Sequence, residues 1–143
     1  MQWNRVANAG FSGADPSMLY LPIDPDPERP TVADQEEAPT SLLNAVRRLA
    51  ALRKQHPALC ADGDFIPLFA EKGSYPFVYQ RTDRSSAFVI AINPSGRPVD
   101  VTFPLDDGVS LRKLLGHDVT WKTGQGGCNL RMPAISYGIF ERQ

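Results

Sequence analysis

Two cysteines and two histidines are all that 143 residues supply of the side chains best suited to hold a metal or act as thiol nucleophiles. Cys60 and Cys128 are too few for a disulfide framework and lack a CxxC spacing. Two buried thiols are the simpler arrangement, and a single Cys60–Cys128 bridge is the alternative that the sequence leaves open. His56 and His117 are far apart, and neither lies within ligand spacing of another His or Cys, so no metal and no cofactor are expected. Charge of one sign is not in excess either. Fifteen Lys+Arg against sixteen Asp+Glu leave a net charge of −1, which argues against nucleic acid or an anionic membrane as the main partner. No apolar run approaches the ~20 residues of a membrane span. The first residues show no basic-then-apolar leader pattern, so a cytoplasmic location is expected.

Catalytic signatures are also missing. There is no Gly-x-Ser-x-Gly elbow to present a serine. Gly124-Gln-Gly-Gly127 is glycine-rich, but neither a helix nor a Lys-Ser/Thr pair follows, and it reads as a hairpin turn. Asp24, Asp26, Glu28, Asp34, Glu36 and Glu37 cluster in a proline-rich stretch, where acids are ordinarily solvated. No catalytic residue is assigned.

What is present has ordinary globular composition, with 42% hydrophobic and 22% charged residues, in a chain the size of one domain. Residues 1–39 show little periodicity and hold Pro16, Pro22, Pro25, Pro27, Pro30 and Pro39, which exclude a long helix there. Trp3, Phe11, Met18, Leu19, Tyr20 and Leu21 are interleaved with the turns, so this is a loop built to pack. Residues 39–56 read as the one clear helix: Pro39 suits its first turn, and Leu42, Leu43, Val46, Leu49 and Leu52 recur at helical spacing. The apolar stripe is too wide for one neighbour and predicts two. Arg53, Lys54 and His56 favour the helix C-terminus, and Pro57 ends it.

From Gly63 the period changes to two. Residues 65–69, 77–81, 87–93, 99–103, 110–114, 119–122, 129–132 and 135–140 read as short strands separated by turn-formers. Only Ala87–Ile92 is apolar throughout, which marks a central strand. Seven or eight such strands predict a mainly β fold: a small antiparallel, Greek-key-like β-sandwich preceded by an extended loop and one long helix. Phe77, Tyr79 and Tyr137 are expected to fill the sandwich core. Tyr75 and Trp121 lie near turns and are candidates for stacking on sugar rings.

Met1-Gln2-Trp3, Asn8-Ala9-Gly10-Phe11-Ser12, Leu19-Tyr20-Leu21-Pro22, Pro39-Thr-Ser-Leu-Leu-Asn44 and Leu52-Arg-Lys-Gln-His-Pro-Ala-Leu59 resemble consecutive landmarks of the alpha-amylase superfamily of glycoside hydrolases. The likeness is to its alpha-glucosidase, oligo-1,6-glucosidase and glucosyltransferase branch. Asn4 stands where many members have aspartate. The resemblance implies that residues 1–60 are a remnant of the barrel end, namely its last loop and last helix, and that residues 61–143 are the C-terminal sandwich domain. It further implies that the family's catalytic carboxylates lie on earlier barrel strands and outside this chain. A (β/α)₈ barrel carries its active site on strand ends that are not found in this sequence.

The expected function is therefore that of a non-catalytic C-terminal part of a retaining alpha-glucan- or alpha-glucoside-acting enzyme. Its partner would be the catalytic barrel of the same enzyme. Met1, Gln2 and Trp3 would help bind substrate only where a full barrel is present. Two alternatives differ in class: a carbohydrate-binding module that holds alpha-glucan through Tyr75 and Trp121, or an interaction protein that forms a homodimer through the exposed helix face.

Overall fold

A computed structural model describes residues 2–143, so Met1, one of the three expected substrate-side residues, lies outside the described residues. The chain divides into two compact units, Met1–Leu52 and Arg53–Gln143.

The second unit is all sheet apart from its first residues. Eight strands, β1 (Asp64–Phe69), β2 (Phe77–Thr82), β3 (Ala87–Asn93), β4 (Val99–Phe103), β5 (Leu111–Gly116), β6 (Thr120–Gly124), β7 (Gly127–Met132) and β8 (Ser136–Arg142), form two antiparallel sheets. Their orders are β1-β2-β3-β8-β5 and β4-β7-β6. The apolar strand Ala87–Asn93 takes the middle of the larger sheet, as its composition predicts. One core joins the two: Val78, Val89, Ala91 and Phe140 from the larger sheet meet Val101, Phe103, Cys128, Leu130 and Met132 from the smaller. Each of the Val, Leu, Phe and Met side chains, fully buried, contributes roughly 1.5–3 kcal/mol.

Two buried polar residues organise the ends of the sandwich. Asn93 is fully buried and fully satisfied. Its amide donates to Arg97 O (3.0 Å) and Pro133 O (2.6 Å), and its Oδ1 accepts from Ser95 N (3.1 Å) and Ser95 Oγ (2.6 Å). It thereby ties the β3–β4 turn to the β7–β8 turn. Gln80 accepts from Arg142 Nη1 at 2.5 Å, which joins β2 to β8 across the core face.

Phe77 and Tyr79 correct the expectation that they fill the core. In β2 the buried positions are Val78 and Gln80, and the alternating Phe77 and Tyr79 face the other way. Phe77 and Tyr79 offer more apolar area than Val78 and Gln80, so alternation alone could not select the inward set. Tyr137, also expected inside, is only partly buried and pairs with Ile92 on that same outer face. The outer face is covered at one end by residues 56–60. The His56 ring lies 4.7 Å from that of Phe88, and Arg81 Nε donates to Ala58 O at 3.2 Å and its Nη2 to Cys60 O. Both cysteines are free thiols.

The first unit holds two α-helices where one was expected. α2 (Leu42–Gln55) is the predicted helix, shorter at its start. α1 (Val32–Glu37) was not foreseen. It carries a single large apolar residue, and six residues are too few to show a period. It exists because its free N-terminal amides all find acceptors: Val32 N donates to Gln2 O (3.0 Å), Ala33 N to Trp3 O (2.9 Å) and Asp34 N to the Thr31 hydroxyl (3.2 Å). Asn44 locks α1 to α2 by donating from its side chain to Gln35 O (2.9 Å) and Ala38 O (3.0 Å).

Candidate functional site

The candidate site lies in the first unit, around Gln2 and Trp3. Residues 2–14 form a tight knot. Trp3 N and Asn4 N both donate to Ala9 O, at 2.9 and 3.3 Å. To reach that acceptor the chain turns through Asn8, Ala9 and Gly10 with φ of 53°, 53° and 73°, all left-handed. The strain at Asn8 and Ala9 is held by burial and by the Asn8 amide, which donates to Ser12 O (3.0 Å) and Ala14 O (2.7 Å). Gly10 suits its left-handed φ of 73°, and a Cβ there would also push the Asn4 side chain aside.

This knot and the start of α1 hold the Gln2–Trp3 backbone from both sides. Arg5 adds a 2.8 Å ion pair to Asp34, with both partners half-exposed, and such a pair contributes little. Hydrogen bonding to Thr31, and then the Arg5 guanidinium, keep the Asp34 carboxyl below its usual range. Beside Gln2 opens a cavity of about 520 Å³, lined by Gln2, Phe11, Leu19, Tyr20, Leu21, Pro22, Ile23, Asp24, Pro30, Val32 and Gln35. Its walls are mainly apolar, with one carboxylate and two amides. Gln2 Oε1 is buried with no hydrogen-bond partner among the described residues.

The expected site residues fall in separate places. Gln2 lines the cavity. Trp3 is 48% exposed and does not line it. Tyr75 is 50% exposed, just before β2. Trp121 lies on β6 of the other sheet and packs against the sandwich core, its ring 4.9 Å from that of Phe140. Tyr75 and Trp121 therefore do not make one platform. Hollows beside the β6–β7 turn are lined by residues such as Asp107, Ser110, Thr123 and Gln125, and by neither aromatic. Sequence reading missed a ring cluster on the outer face of β1 and β2, where Phe65 lies 5.0 Å from Tyr79 and Phe77 lies 5.1 Å from Tyr79. The signal was present in Phe65, Phe77 and Tyr79 at alternate positions, but it needed the register to give it a face. Among the described residues no group of three His, Cys, Asp or Glu could hold a metal ion. Among the same residues no helix is long and apolar enough to cross a membrane.

These features define a two-sheet antiparallel sandwich joined to a strained, helix-capping loop with a hollow beside it. A family profile described as "Alpha amylase, catalytic domain" matches residues 1–62. Trehalose synthase/amylase TreS of Mycobacterium tuberculosis is 32% identical over 99% of this chain and 25% of its own length. An oligo-1,6-glucosidase of Halalkalibacterium halodurans is 28% identical over 80% of this chain and 20% of its own. The solved structure of an isomaltulose synthase mutant from Erwinia rhapontici, in complex with D-glucose, superimposes with a TM-score of 0.76 at 26% identity. That match covers 99% of this chain and 24% of the other. The chain belongs to the alpha-amylase superfamily of glycoside hydrolases. It spans a quarter or less of the length of these relatives.

Proposed function

We propose that these residues serve as a non-catalytic C-terminal part of an enzyme acting on alpha-glucosidic bonds, closing and stabilising a catalytic barrel that the rest of the polypeptide supplies. Retaining glycoside hydrolysis needs two carboxyl groups about 5–5.5 Å apart. The observation that carries the reading is that the cavity beside Gln2 is lined by a single carboxylate, Asp24. In the complete enzyme, Gln2 and Trp3, held between the Asn8–Gly10 turn and α1, shape the acceptor side of the active-site mouth. Incubated with maltose, isomaltose or nitrophenyl glucoside, the purified 143-residue chain is expected to give no turnover. Turnover that follows the protein through repurification would overturn the assignment.

A second reading, binding of alpha-glucan by the sandwich, draws support from the half-exposed Tyr75. The core packing of Trp121 weakens it. Affinity electrophoresis on starch separates the two, since a scaffold leaves the mobility unchanged and a binding module is retarded.

A further inference from the structure

Among the described residues the buried polar side chains are Asn8, Thr31, Gln80 and Asn93. Gln80 and Asn93 tie strands and turns of the sandwich together. Asn8 and Thr31 lie in the first unit, and both brace the same short stretch. Asn8 holds the left-handed turn by donating to Ser12 O and Ala14 O, and that turn presents Ala9 O to the Trp3 and Asn4 amides. Thr31 caps α1 through its hydroxyl, and the first amides of α1 donate to Gln2 O and Trp3 O. The Trp3 backbone is thus bonded at its N–H from one side and at its C=O from the other.

Left-handed φ at Asn8 and Ala9 costs backbone strain, and burying an amide or a hydroxyl costs desolvation. Core packing does not account for these costs, because the indole held by this arrangement is 48% exposed. Strain and buried polar support that converge on an exposed side chain point to a group held in one orientation for use.

We infer that Asn8 and Thr31 are positioning residues for Trp3, and that through it they set how well the complete enzyme holds a sugar acceptor in competition with water. This rests on the reading above, in which Trp3 helps shape the acceptor side of the active-site mouth, and deepens it by naming what orients the indole. In the last step of a retaining reaction, an acceptor oxygen bonds to the glucosyl carbon as the bond from that carbon to the enzyme carboxylate breaks. The acceptor's proton passes to the second carboxylate. A sugar hydroxyl must be oriented for this step by contacts to its ring, whereas water has no ring to orient. Loosening Trp3 therefore lowers transfer to sugar more than hydrolysis.

The test grafts residues 1–143 in place of the aligned stretch of the Mycobacterium tuberculosis trehalose synthase and measures, with maltose, trehalose formed against glucose released. Asn8→Asp keeps the side-chain shape but cannot donate to the two carbonyls, and Thr31→Val removes the capping hydroxyl at nearly constant volume. Each is expected to shift the product ratio towards glucose by about tenfold. Asn93→Asp breaks the equivalent clamp in the sandwich, and is expected to lower the melting temperature and leave the ratio unchanged. In a Trp3→Ala background, Asn8→Asp and Thr31→Val are expected to shift the ratio no further. In the isolated chain, hydrogen exchange at the Trp3 amide is expected to accelerate in Asn8→Asp. An unchanged ratio, the same shift from Asn93→Asp, a full shift that persists without the indole, or unchanged exchange at Trp3 would each overturn the inference. The scaffold reading fails on a different result: a graft that folds and has no turnover at all.

Discussion

Cys128 shows how one side chain can report on the sandwich. It lies in the core between the sheets, and burial pushes its thiol from 9.0 up to about 11. The folded state therefore holds the proton more tightly than the unfolded chain does. Stability from this group is fully present below about pH 9 and is lost as the pH climbs towards about 11. Burial also raises the Tyr79 hydroxyl, against an opposing pull from Arg81, and gives a slope of the same sign starting from about 10. Urea midpoints measured from pH 8 upward are expected to fall more steeply in the natural chain than in Cys128→Val, which keeps the apolar volume and has no proton to lose. In the same protein a thiol reagent at neutral pH should label the partly exposed Cys60 and spare Cys128. Gly116 marks another constraint of this size: at φ 118°, an added Cβ would lie 2.2 Å from Tyr137 O.

At the level of elements, the connection between α1 and α2 is the weak point of the first unit. Four residues separate the helices, and their ends are satisfied by side chains. Leu43 N donates to Gln35 Oε1 at 3.0 Å, Ser41 Oγ donates to Gln35 O at 2.6 Å, and Asn44 reaches back to two carbonyls of the α1 end. Asn44→Ala removes these bonds but leaves Gln35 O with the Ser41 hydroxyl and Ala38 O with Ser41 N, and should cost about 0.5–1.5 kcal/mol. Hydrogen exchange at Leu43–Val46 is expected to accelerate while exchange in β3 is unchanged. The elements differ in how far the residues announce them. Strands β1 to β8 were legible because alternation and turn-formers alternate along the chain, and α2 because five leucine or valine residues fall on one stripe. What could not be read was anything that depends on a distant partner. α1 forms through the carbonyls of Gln2 and Trp3, about thirty positions earlier, and the outward facing of Phe77 and Tyr79 is set by register with β1 and β3. The cavity was illegible for the same reason, since its walls come from residues 2, 11, 19–24, 30, 32 and 35.

For the molecule as a whole, the apolar core belongs to the second unit, which should fold without the first. The piece 53–143 is expected to unfold in one cooperative transition, with near-UV circular dichroism reporting Trp121 packed against Phe140. A piece trimmed to 61–143 loses the His56 ring from Phe88 and both carbonyl acceptors of Arg81. Its midpoint in urea should therefore be clearly lower, and equal midpoints would show that residues 53–60 contribute nothing to the sandwich.

Strand β8 occupies the place between β3 and β5 in the larger sheet, with Val89 opposite Phe140 on one side and Lys113 opposite Phe140 on the other. Among the described residues β5 joins the rest of this sheet through β8. On the ribosome, translation of this stretch must reach Phe140 before the hairpins already emerged can join, so the nascent sandwich waits with two raw sheet edges. Pairing across that sequence distance is slow, which makes the interval before β8 arrives the stage at which this protein most needs protection from neighbouring chains.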